Sequence, residues 1–204
     1  MSADHRPHAQ ADYQVRLDWG QDGLDRLAPA HVVVVVDVLG LTGAALAAAE
    51  RGETLATDDG TSSAVALAAA ERGAHVVVGG VRNAAAVADH ILEVQRARGE
   101  RTSIALLPVG SSEATASRFA VEDLLGAGAV IAALGDLGID HGSPDAAVAG
   151  EGFRALRGAT KHLLTASGTG RALADQGRRD EVLAAAARDA ASLVPVLRDG
   201  VFGV

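Results

Sequence analysis

The stretch His31-Val32-Val33-Val34-Val35-Val36-Asp37-Val38-Leu39-Gly40-Leu41-Thr42-Gly43 decides the fold. The valine run reads as a strand buried on both faces, as in a parallel sheet flanked by helices. Asp37 follows it directly and so sits at the strand's carboxyl end, the edge at which open α/β sheets place ligands. Leu41 to Arg51 is alanine-rich and free of proline, and reads as the next helix. Asp37 carries two readings side by side: a site carboxylate, or a cap for that helix or the turn before it.

The same alternation extends outward. Upstream, Tyr13 to Trp19 alternates as a strand, and Gln21 to Leu27 reads as a short helix ended by Pro29. Downstream, Gly52 closes the helix, Thr54 to Thr57 reads as a short strand and Asp58-Asp59-Gly60-Thr61 as a turn. Ser62 to Arg72 is a helix closed by Gly73, and Ala74 to Gly79 a second buried strand. Asn83 caps a helix from Ala84 to Arg98, and Thr102 to Val109 is a third strand. A polar loop, Gly110 to Ser117, leads to a helix around Val121 to Leu134. Beyond Ser143-Pro144, a good helix start, the chain reads as mostly helical: Pro144 to Ala166 with interruptions near Gly150, Gly152 and Gly158, then Gly168 to Gln176 and Arg178 to Ser192. Val194 to Leu197 is extended, and Arg198-Asp199-Gly200 is a turn. The pattern predicts a three-layer α/β/α sandwich with a largely parallel sheet and a helical C-terminal portion. Its parallel neighbouring strands are expected at Val32–Val36, Val76–Val78 and Ile104–Leu107. The expected organisation is a disordered N-terminal tail over residues 1–12 and a single α/β domain over 13–204.

Composition bounds the function. The 204 residues suffice for one sizeable core, and the 24 glycines with few aromatics suit close helix–sheet packing. The absence of cysteine excludes disulfides, thiolate metal sites and a thiol nucleophile. A net charge of −8 without a basic cluster argues against nucleic acid. The N-terminus lacks a secretory hydrophobic segment and no apolar run is long enough to span a bilayer, so a cytoplasmic protein without a membrane partner is expected.

Several motifs fail on inspection. Gly40-Leu41-Thr42-Gly43 is not the spaced triple-glycine dinucleotide fingerprint, and Gly168-Thr169-Gly170-Arg171 lacks the phosphate-loop lysine. The seven histidines are scattered without a zinc pair, and Ala166-Ser167-Gly168 is not a nucleophile elbow. What survives is acidic. Glu122-Asp123 opens the helix after the third strand, where the macrodipole alone favours a carboxylate. In a parallel sheet this pair lies at the same edge as Asp37. Carboxylates gathered there suit Mg²⁺, which takes oxygen ligands and keeps several waters. Asp58, Asp59, Thr61, Asn83 and the Gly110 to Ser117 loop share that edge, where backbone amides at helix N-termini suit a phosphate. The residues thus point to a metal-assisted phosphate site.

The chain resembles the 2-phosphosulfolactate phosphatase (ComB-like) family. The likeness begins at Gln14 to Gly20 and continues at Val34-Val35-Val36-Asp37-Val38-Leu39, where the family has an Asp-Val-Leu motif and then a hydroxyl-rich stretch. Gly60-Thr61 resembles its Asn-Gly-Thr/Ser turn, Val81 to Ala88 its Asn-Ala-x-Ala-Val-Ala segment, and Arg118 to Ala129 its Glu-Asp helix with trailing small residues. Ala166-Ser167-Gly168 and Val194 to Gly200 resemble its C-terminal signatures. The resemblance implies an α/β/α phosphatase using Mg²⁺, which hydrolyses (2R)-2-phospho-3-sulfolactate or a related small phosphorylated acid. Asp37, Glu122 and Asp123 are then the metal-binding and catalytic carboxylates. Thr42, Gly60, Thr61 and Asn83 contact the substrate, and the chain forms a homo-oligomer. Departures are local. Gly40, Leu41 and Gly43 replace most of the hydroxyl-rich stretch, Asp59 stands where the family has Asn, and a middle segment is missing. These departures support the alternative of a catalytically silent homologue acting as a binding or oligomer-forming protein.

Overall fold

A computed structural model describes residues 7–113 and 116–204, with side chains described outside 111–117. In chain order the elements are β1 (Val15–Leu17), α1 (Gly20–Arg26), β2 (Val32–Val36), α2 (Leu41–Glu50), β3 (Leu55–Ala56), α3 (Thr61–Glu71), β4 (His75–Val78), α4 (Ala84–Arg98), β5 (Ile104–Pro108), β6 (Ser111–Glu113) and β7 (Ala116–Arg118). There follow α5 (Val121–Asp136), α6 (Pro144–Leu156), α7 (Thr160–Ala166), α8 (Gly168–Asp175), α9 (Arg179–Ala185), β8 (Val196–Arg198) and β9 (Val201–Gly203). The main sheet has seven strands in the order β1-β5-β2-β4-β8-β9-β3. Strands β1, β5, β2 and β4 are mutually parallel, while β8, β9 and β3 extend the β4 edge antiparallel. This is the expected three-layer α/β/α sandwich with a mostly parallel sheet. No described helix is long and apolar enough to cross a membrane.

The valine strand is central because it satisfies both layers at once. Val32, Val34 and Val36 pack with Val87, Ile91 and Val130 of α4 and α5. Val33 and Val35 pack with Leu24, Val65 and Phe202 on the opposite face. All five are between 0 and 2 % exposed, and burial of each side chain stabilises by about 2 kcal/mol before entropy. In register, Val32 to Val36 pair with Ile104 to Pro108 on one side, and Val32 to Val35 with His75 to Val78 on the other. Asp37, Gly79 and Val109 therefore emerge together at one edge.

The small residues of α5 bring it close to its neighbours. A Cβ on Gly126 would overlap Val38 and Val36, and one on Gly128 would overlap the Ala149 carbonyl of α6. Gly128→Ala is expected to overpack this contact and destabilise by about 1–3 kcal/mol, read as a lower urea midpoint with unchanged slope.

The differences from expectation are local. Disorder through residue 12 does not hold: Pro7–Ala9 form a 3₁₀ turn with Ala9 buried, and the Gln10 amide both donates to and accepts from the Leu17 backbone. Residues 1–6 of that tail lie outside the described residues. The polar loop after β5 holds a hairpin, β6 with β7. The helical interruption falls only at Gly158, because Gly150 packs against Ile131 where α5 approaches. The turn at Arg198-Asp199-Gly200 continues into β9: Asp199 and Gly200 both adopt positive φ, as a primed hairpin turn requires.

At the far end of the sheet from that edge, His75 and His90 meet Nε2 to Nε2 at 2.8 Å. Burial lowers both pKa values below the ordinary 6.5, assisted at His75 by His90 and Arg198; at His90 Arg198 assists and Glu93 opposes. The unfolded chain therefore binds protons that the folded one refuses. The pair's stability contribution is full above about pH 6.5 and is lost as pH falls through the depressed folded values. Because both rings are partly exposed, the melting temperature should fall by only about 2 °C between about pH 7.5 and pH 5.5. His90→Gln should shrink that fall.

Candidate active site

A cavity of about 600 Å³ opens at the carboxyl edge of β2, β4 and β5. Asp37, Glu122 and Asp123 all line it, together with Thr42, Gly60 and Thr61.

Asp37 caps the start of α2 and lines the cavity. Its Oδ2 accepts from the Leu41 amide at the start of α2 at 2.9 Å and from the Ser62 hydroxyl at 2.6 Å. Its Oδ1 has no hydrogen-bond partner among the described residues. The turn leaves no room at residue 40, where a Cβ would overlap the Asp37 carboxylate, so glycine there lets the carboxylate fold over the start of α2.

Asp123 is 2 % exposed. Its Oδ1 accepts the Val38 amide at 2.8 Å and its Oδ2 the Gly110 amide at 3.0 Å, tying α5 to the ends of β2 and β5. Burial pushes its pKa well above the usual carboxylate range, with the Asp37 charge second and Glu122 adding; the two amide bonds oppose this and lose. Glu122 is 4 % exposed, lines the cavity and has no hydrogen-bond or ion-pair partner among the described residues. Its carboxylate therefore faces the cavity with coordination capacity to spare beside the other two.

Among the described residues no group of three or more His, Cys, Asp or Glu side chains is placed to hold a metal ion. Mg²⁺ does not require one: it is characteristically bound by one or two carboxylates, with waters and substrate oxygens completing its shell. The lone Glu122 and the free Oδ1 of Asp37 fit that donor set. The cavity's charge agrees. Among the described residues, Asp37, Asp58, Glu122, Asp123 and Glu181 line it against Arg82 and Arg178, and those two are already paired with Glu50 and Glu181.

The α3 N-terminus forms another wall. Asp58 Oδ1 accepts from the Gly60 amide and the Ser63 hydroxyl, which together hold its pKa below the ordinary value. That arrangement sets Gly60, Thr61 and Ser62 on the cavity wall, where the first amides of a helix lack intrahelical partners.

One expected substrate contact falls outside the cavity, and a second carries structural hydrogen bonds. Asn83 is fully buried and does not line the cavity. Its Nδ2 donates to the Val78 and Leu193 carbonyls and its Oδ1 accepts the Gly80 amide, so it locks the turn after β4 to the C-terminal segment. Thr42 touches the cavity, but its hydroxyl donates to the Gly79 carbonyl and accepts the Asp37 amide, bracing β2 against β4. Asp59 is exposed and does not line the cavity, so Asp59→Asn is expected to leave both melting temperature and ligand binding unchanged.

Sequence reading missed Ser62, Arg82, Arg178 and Glu181. Arg82 is the most telling, since its Nη2 pairs with Glu50 at 2.8 Å while its buried Nε has no partner. Its only signal was its place immediately before Asn83. Arg178 and Glu181 reach the cavity from the C-terminal helices, joined by two hydrogen bonds.

No curated protein matches the chain. The family model for 2-phosphosulpholactate phosphatase matches residues 47–200, which takes in Gly60, Thr61, Arg82, Asn83, Glu122, Asp123 and Arg178 and begins after Asp37 and Thr42. With most of its length matched, and with an α/β/α fold whose acidic cavity sits at the carboxyl ends of the strands, the chain belongs to the 2-phosphosulpholactate phosphatase family.

Proposed function

We propose that this cavity hydrolyses a small phosphorylated acid in a Mg²⁺-dependent reaction, with (2R)-2-phospho-3-sulfolactate as the substrate its family suggests. The observation that carries this reading is Glu122, buried and unpartnered beside Asp37 and Asp123. Asp37 and Glu122 would hold the ion, with Asp123 bound to backbone amides beside them. Bound there, Mg²⁺ supplies charge neutralisation at the phosphoryl oxygens and a water of lowered pKa.

The chain's own residues do the rest. Ser62 and the Leu41 amide fix Asp37 in one orientation through Oδ2, leaving Oδ1 without a hydrogen bond among the described residues. Asp123, gripped by two backbone amides, holds the start of α5 and thereby Glu122 in place. The Thr61 and Ser62 amides at the α3 N-terminus offer donors for phosphate oxygens. Arg82 adds a guanidinium to the cavity lining, paired with Glu50.

The test is phosphate release from a panel of phosphorylated acids with Mg²⁺ and with a chelator. Release with Mg²⁺ and loss of at least about a hundredfold on chelation is expected. The silent-homologue reading draws on the engaged Thr42 hydroxyl and the donor-free Gly40 and Leu41. It predicts no release from any member of the panel.

A further inference from the structure

One wall of the cavity has no task in the chemistry just described. Its apolar lining includes Leu39, Leu41, Leu55, Leu173 and Ala184. All but Leu173 keep part of their surface outside the core. The wall starts beside the reacting end, because the amide of Leu41 itself binds Asp37. Gly40, Leu41 and Gly43 bring no side-chain donor to it. The two lining arginines are already paired, Arg178 with Glu181 and Arg82 with Glu50.

Size points the same way. A three-carbon acid bearing phosphate and sulfonate occupies roughly 200 Å³ at organic packing density. The cavity measures about 600 Å³. A second strongly hydrated anion placed against leucines would lose its water without gaining donors. An alkyl group placed there would gain from leaving water.

We infer that the substrate is a phosphorylated hydroxy acid carrying an apolar arm, whose phosphate lies at the carboxylate end and whose arm lies along Leu41 and Leu173. The inference rests on the phosphatase reading for the role of the phosphate end. The apolar wall is a separate physical claim.

The experiment uses a homologous series of 2-phosphooxy alkanoic acids, from the three-carbon member upward. Phosphate release is read in Mg²⁺, and binding of the matching non-hydrolysable phosphonates is read in parallel by calorimetry. In the native chain kcat/KM and phosphonate affinity should each rise about threefold to fourfold per added methylene until the wall is covered. Leu173→Ser should flatten both slopes, and Leu173→Met, which keeps volume and apolarity, should preserve them; melting curves confirm that each variant is folded. A flat or falling slope with active release would overturn the apolar wall and leave the phosphatase reading standing. Length-dependent phosphonate binding without release would do the reverse. Neither release nor length-dependent binding overturns the inference together with the reading it rests on.

Discussion

Asp37→Asn is expected to reduce Mg²⁺-dependent phosphate release by about a hundredfold to a thousandfold while leaving the melting temperature within about 2 °C of the native chain. Loss of a charge positioned for a developing anion and its cation commonly costs about 3–4 kcal/mol in the barrier. The fold is spared because an amide oxygen still accepts from Leu41 and Ser62 at the Oδ2 position, and because Asp37 is only partly buried. Removing its charge also relieves Asp123, whose pKa Asp37 helps to raise. Steady-state phosphate release and a thermal melt on the same sample check both halves. Full activity would remove Asp37 from the mechanism.

Asp123→Ala should act in the opposite proportion, damaging the fold first. The substitution leaves the Val38 and Gly110 amides without their carboxylate, and each stranded donor costs about 1–3 kcal/mol. The repulsion among the three carboxylates falls at the same time and offsets part of that loss. A net destabilisation of about 3 kcal/mol is expected, which for a chain of this size lowers the melting temperature by about 10 °C. Asp123→Asn should lie between, since its NH₂ group faces an amide donor at one of the two positions. A melting temperature equal to the native one would mean that the Val38 and Gly110 amides find other partners.

The contrast between these carboxylates shows what was legible in the chain and what was not. The valine run announced the sheet because only a strand sheathed by helices buries five consecutive β-branched residues. The same logic placed Asp37 and the Glu122-Asp123 pair at one edge, since the βα connections fix which end of each strand meets which helix. Individual hydrogen bonds were not legible. Asn83 looked like a substrate donor because its position was right, yet its amide is consumed by Val78, Gly80 and Leu193. The Leu193 contact exists only once the C-terminal segment has returned to the sheet. For the same reason Arg178 and Glu181, far along the chain in an ordinary helical stretch, gave no sign that they line the cavity. Ser62 was hidden differently: it reads as a generic first-turn residue until α3 is seen to start beside α2. The β9 strand was missed because three residues after an Asp-Gly turn carry too little pattern to distinguish a hairpin arm from a tail.

The account turns on a cation held by Asp37 and Glu122, and a titration with Mn²⁺ followed by electron paramagnetic resonance, with Mg²⁺ as competitor, tests it most directly. The native chain is expected to bind a single Mn²⁺ that Mg²⁺ displaces. Glu122→Gln, at unchanged melting temperature, is expected to weaken that binding by about tenfold or more. Native protein that leaves the free Mn²⁺ signal unchanged, or Glu122→Gln that binds as tightly as the native chain, would contradict the account.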